Sequence, residues 1–137
     1  MDYFICQGVG ILAEELLPFL NKQKCIEIIK KEYPDEEVSE ADFDIEDYFH
    51  GAPFANLAEL LTFCDDTDTI TYGDTGGCGA SYFYYIPSYP WERTENEPQS
   101  VDEVHERIID AVLKLCDMTR EQVEDMINDE IYDVGCG

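Results

Sequence analysis

Apolar positions recur at three- and four-residue intervals in the last third of this chain, and gather into shorter, partly β-prone runs before it. Val101, Val104, Ile108, Ala111, Val112 and Leu115 share one helical face behind Ser100 and Glu103, which stand at capping-box spacing, and predict a helix over 100–116. Thr119 and Gln122 repeat the device ahead of Val123, Met126, Ile127 and Ile131, predicting a second helix over 119–132. On that helix Glu121, Asp125, Asp129 and Asp133 recur every four residues, which makes one acidic stripe opposite the apolar face. Earlier, Pro53 suits a first helical turn, and Phe54, Leu57, Ala58, Leu61 and Cys64 supply a buried face, so a helix is expected at about 53–63.

Residues 2–6 carry aromatic and β-branched side chains and predict a short strand. Gly8 and Gly10 punctuate the chain after it, before a short helix over 11–17 that Pro18 should end or kink. Residues 22–33 fit a helix through Cys25, Ile26, Ile29 and Tyr33, but Ile26-Glu27-Ile28 fits a strand as well, and both readings stand. Two β-prone runs, 67–72 and 81–86, flank a glycine-rich connector and read as a hairpin. Pro87 and Pro90 then keep the chain extended towards Trp91. With no internal repeat and no dividing linker in 137 residues, the expected architecture is a single α+β domain over 1–137. It has a small antiparallel sheet containing the 68–86 hairpin, packed against several helices and closed by the C-terminal helical pair.

Charge changes this picture more than composition does. Apolar residues make up 45% of the chain, enough for a core, so its acidity is not that of a disordered tail. Yet 32 Asp and Glu face 8 Lys and Arg, a net charge of -24, which excludes nucleic-acid binding by the chain's own surface. Residues 32–92 contain 15 acidic side chains and no Lys or Arg; eight of the acids lie in 35–47, where aromatics such as Phe43 interleave and anchor part of the run. The N-terminus lacks the basic region and longer apolar run of a signal peptide, and no apolar run approaches about 18 residues, so a soluble, cytoplasmic protein is expected. Six cysteines without framework spacing are expected to be reduced, most of them as small apolar core residues.

Catalytic signatures fail one by one. Asp74-Thr75-Gly76 matches the aspartic-protease triplet, but no apolar strand leads into it and no apolar-Gly brace follows, so a hairpin turn is the simpler account. Gly76-Gly77-Cys78-Gly79-Ala80 would cradle a phosphate only ahead of a helix, and 82–86 read as strand. Cys78 as a nucleophile needs a base, and nothing local pairs it with His50, expected at a helix end or turn, or with His105, expected beside the apolar face of its helix. Close ligand pairs for zinc are absent. Asp66 and Asp68 open an EF-hand-like loop, but Ile70, Thr71 and Gly77 occupy the positions that need oxygen, glycine and glutamate. Neither a metal nor a cofactor is expected.

The charge itself is then the candidate chemistry. Duplex DNA carries one charge per roughly 1.7 Å of axis, so the net charge matches about 40 Å of duplex, near a dozen base pairs. In size, acidity, reduced cysteines and lack of a catalytic signature, the whole chain resembles small phage or mobile-element anti-defence proteins, namely anti-CRISPR proteins and other DNA mimics. The likeness is one of general character and carries over no residue. It implies a stoichiometric inhibitor, not an enzyme, whose partner is a basic nucleic-acid-binding protein such as a CRISPR effector nuclease, met in the host cytosol. The expected partner-binding residues are Asp42, Asp44, Glu46, Asp47, Asp65, Asp66, Asp68, Glu121, Asp125 and Asp129, with Tyr89 and Trp91 beside them. Two other classes stay open. One is an aromatic-centred interaction module built on Tyr82, Tyr84, Tyr85, Tyr89 and Trp91 within an acidic, solubilising surface; the other is a carboxylate-based enzyme, for which the sequence singles out no pair among 32 acids.

Overall fold

The computed structural model describes residues 3–35, 44, 53–73, 81–85, 95–98 and 100–136. In chain order these form β1 (Tyr3–Leu12), a 3-10 helix (Ala13–Phe19), α1 (Lys22–Glu32), α2 (Pro53–Cys64), β2 (Thr71–Gly73), β3 (Tyr82–Tyr85), α3 (Val101–Leu113), α4 (Arg120–Met126) and β4 (Asn128–Cys136). This is the expected α+β fold: one antiparallel sheet in the order β2-β3-β1-β4, with helices that include the α3–α4 pair. β2 and β3 pair as the hairpin pattern requires, Tyr72 opposite Phe83.

Alternation along β1 and β3 sets the inner face of the sheet. Val9 and Ile11 stand opposite Tyr85 and Phe83, and all four are buried in the core cluster to which the helices contribute. α3 starts where Ser100 caps it, the Ser100 side chain accepting from the Glu103 N–H, and buries Val104, Ile108, Ala111 and Val112, with Leu115 just beyond its end. Val101, expected on that face, is instead 53% exposed in the first turn. α2 buries Leu57, Ala58, Leu61 and Cys64. For 22–33 the helix prevails over the strand: Asn21 caps it by accepting from the Lys24 N–H, and Cys25, Ile26 and Ile29 turn inward. Each large apolar side chain buried in this way stabilises the fold by roughly 1.5–3 kcal/mol.

Two expectations are corrected. The short strand and the helix over 11–17 are replaced by one long strand, β1, followed by the 3-10 helix, within which Pro18 lies. Ile11 and Leu12 find ladder partners in Phe83 and Tyr82, and the Ala13 N–H donates to the Ser81 carbonyl at 3.0 Å, which holds this stretch extended. Gly8 and Gly10 do not interrupt the strand; they mark the place where its pairing with β4 shifts register. The helix over 119–132 ends at Met126, because Ile127 is extended (φ -72°, ψ 132°) and Asn128–Cys136 pair with β1. A continuous helix would set like charges four residues apart and put the last of them at the negative end of its dipole. The edge of β1 that β3 leaves open offers Ile131, Tyr132 and Val134 a ladder suited to β-branched and aromatic residues instead. The acidic stripe is therefore divided between α4 and β4.

Among the described residues no helix is long and apolar enough to cross a membrane. Asp42, Glu46, Asp47, His50, the Asp74-Thr75-Gly76 triplet, Cys78, Tyr89 and Trp91 lie outside the described residues.

Candidate functional site

Basic side chains are scarce, and four of them are held in internal contacts. Lys24, reaching from α1, donates from Nζ to the Leu113 and Cys116 carbonyls at 3.1 and 3.3 Å, at the C-terminal end of α3. Lys114 does the same for α2, donating to the Cys64 carbonyl at 2.9 Å while pairing with Asp66 at 2.8 Å. A cation at a helix C-terminus meets both the unbonded carbonyls and the negative end of the dipole. Arg107 ties α3 to two loops, donating to the Thr69 hydroxyl at 2.7 Å and the Asn96 carbonyl at 2.5 Å, and pairs with Glu103 at 3.2 Å. Arg120 links α4 to α3 through Asp110, at 2.9 Å, and Glu106.

The acids expected to bind a partner fall into three environments. Asp65 is a correction: it is 8% exposed, and its two carboxylate oxygens accept from the Thr67 N–H and hydroxyl at 3.0 and 2.5 Å and from the Thr69 and Ile70 N–H groups at 2.9 Å each. It braces the turn into β2 and is no surface charge; the Asp-x-Thr spacing, a sequence signature of an Asx turn, was the available signal. Asp66, Asp68 and Asp44 are exposed. The Lys114 ammonium, hydrogen-bonded to Asp66 and attracting it by its opposite charge, holds that carboxyl below its ordinary range. Asp68 sits in the left-handed region at φ 54°, which an Asp tolerates better than most residues. Glu121 and Asp125 are exposed on α4, and Asp129 is exposed at the start of β4.

Asp129 has an unanticipated partner. His105 on α3 sets Nδ1 against Glu124 and Nε2 against Asp129, each at 2.5 Å, and so joins α3 to both α4 and β4. Burial alone lowers the pKa of this imidazole, but the hydrogen bonds and charges of Asp129 and Glu124 outweigh it and raise the pKa above the ordinary 6.5. With a carboxylate at each ring nitrogen the favoured form is the imidazolium, both nitrogens donating. No local sequence signal pairs His105 with residues 19 and 24 positions away.

Beside this clamp lies a groove of ≈ 610 Å³, within the roughly 300–1,000 Å³ of ordinary ligand clefts. Leu12 at the end of β1, Glu15 on the 3-10 helix, Tyr82 at the start of β3 and the 125–129 turn between α4 and β4 line it. It brings together two of the expected residues, Asp125 and Asp129, and adds Glu15, which the sequence did not single out. Among the described residues no cation stands within ion-pair distance of Glu15 or Asp125.

Nucleophilic and metal chemistry find less here. Cys25, Cys64 and Cys116 are free and buried. Burial pushes their thiols up to about 11, 12 and 12, so they fill the core as neutral groups at pH 7. No group of three His, Cys, Asp or Glu among the described residues is arranged to hold a metal ion. Of the aromatic alternative, Tyr85 is 8% exposed, with its hydroxyl donating to Glu97, and Tyr82 and Tyr84 are half-buried. No family model matches the chain, and no curated protein or solved structure is significantly similar to it.

Proposed function

We propose that this protein is a stoichiometric inhibitor that occupies the basic nucleic-acid-binding site of a partner, of the kind a CRISPR effector nuclease presents, by mimicking the charge of nucleic acid. The observation that carries the reading is the excess of exposed acids, against which, among the described residues, the exposed cations outside the ion pairs above are Lys30 and Lys31 on α1. Lys24, Lys114, Arg107 and Arg120 are engaged with the molecule's own carbonyls and carboxylates, while acids on α4, on the 3-10 helix and in the groove face outward. A net charge of -24 on such a frame favours steered association with a basic groove and release of the counterions that the acidic surface condenses.

The test is displacement. The protein is titrated into a purified CRISPR effector complex holding labelled target DNA, at NaCl concentrations from low to high. The expected result is loss of DNA binding at a fixed molar ratio, with an affinity that falls steeply as salt rises. Glu121→Lys with Asp125→Lys, both exposed on α4, should weaken displacement without unfolding the protein. A panel of basic nucleic-acid-binding proteins that all keep their DNA, or a complex indifferent to salt, would overturn the reading.

A further inference from the structure

The groove between the 3-10 helix and the α4–β4 turn combines two properties that no exposed acid has alone. Its lining includes the apolar or aromatic residues Leu12, Met126, Ile127 and Tyr82, and also the acids Glu15, Asp125 and Asp129. We propose that this groove receives the guanidinium of an arginine side chain from a basic protein partner, an inference that rests on the charge-mimic reading for the source of that arginine.

The chemistry selects the occupant. A bare metal ion or ammonium gains from the carboxylates but nothing from the apolar lining. An arginine places its aliphatic stem against apolar surface and its planar head, weakly hydrated and carrying five donors, among acceptors that arrive from several directions. The acceptors come from three elements: Glu15 from the 3-10 helix, Asp125 from α4 and Asp129 from β4. The guanidinium also interacts favourably with an aromatic face, and Tyr82 lines the same space. His105 holds Asp129 at 2.5 Å, so one acceptor is positioned before the ligand arrives and less ordering remains for binding. Among the described residues the carboxylates of Glu15, Asp125, Asp129 and Glu124 outnumber the one imidazolium that pairs with two of them.

The probe is N-acetyl-arginine amide, titrated into the intact protein and followed by backbone amide NMR shifts, with N-acetyl-citrulline amide as its uncharged isostere. Arginine is expected to give saturable shifts centred on Leu12, Glu15, Tyr82 and residues 125–129, and citrulline none. Glu15→Gln with Asp125→Asn, two exposed positions whose exchange leaves the core intact, should weaken that binding about tenfold, as loss of two partly exposed charge contacts implies. Glu27→Gln, exposed on α1 and outside the groove, should leave it within about twofold. Shifts scattered equally over distant acids such as Glu27 and Asp102, or equal binding of citrulline, would overturn the inference. The displacement assay separates the two proposals. If the wild type and the Glu15→Gln, Asp125→Asn variant displace DNA equally well, the groove is not the docking point and the mimic stands. If arginine fills the groove yet no basic protein loses its DNA, the mimic reading falls while the guanidinium site stands.

Discussion

Asp65 gathers four donors onto one side chain, and the loop from α2 to β2 has no comparable brace among the described residues. Asp65→Ala would leave the N–H groups of Thr69 and Ile70 without their acceptor, Ile70 being itself buried. A loss of about 2–4 kcal/mol in urea unfolding is expected, since each unsatisfied buried donor costs about 1–3 kcal/mol. Asp66→Ala, one residue on but exposed, should lose clearly less. His105 makes a prediction in pH. Its folded pKa lies above the unfolded value near 6.5, so the stability it contributes is fully present below that value and is lost as pH rises through the folded pKa. The gap in urea midpoint between wild type and His105→Gln should therefore be widest in mildly acidic buffer and close on going alkaline. A gap that widens upward in pH would mean the imidazole is not held charged by Glu124 and Asp129.

At the level of elements, cations of neighbouring segments fasten the ends of helices. Lys24→Met keeps most of the aliphatic stem but leaves the Leu113 and Cys116 carbonyls without that donor, and should destabilise the protein by about 1 kcal/mol. Lys30→Met, exposed at the end of α1, is the control and should do less. The helices were legible in the sequence because their signals are local: Ser100 caps α3 at the Glu103 N–H, and Thr119 with Gln122 closes a capping box on α4. What was not legible depended on partners far away in the chain. Ile127 ends α4 because β1, some 120 residues earlier, presents an edge for residues 128–136. Gly8 and Gly10 read as breakers because only the paired structure shows them inside a strand. The same error concealed the candidate site. On a continuous helix Asp125 and Asp129 are two steps of a stripe, whereas the turn at Ile127 brings them to one groove with Glu15.

On the scale of the whole molecule, two electrostatic effects of opposite sign compete in the response of stability to salt. The ion pairs of Arg107, Lys114 and Arg120 are short-ranged contacts that salt weakens. The repulsion among 32 acids acts over the full width of the domain, and salt relieves it as the screening length falls from about 30 Å at 0.01 M to about 10 Å at 0.1 M. With a fourfold excess of acids the long-range term should win, and the urea midpoint should rise with NaCl over that range. A midpoint that falls would mean the internal pairs dominate and the acids are too dispersed to repel one another strongly. A basic partner relieves the same repulsion that salt does, but only where it touches. Its stabilisation of the fold, read as a shift in Tm, should therefore be largest at low salt and fade as NaCl takes over that role. A neutral partner docking on aromatic side chains would shift Tm by an amount nearly independent of salt, so this one dependence separates a charge-driven complex from an aromatic-centred one.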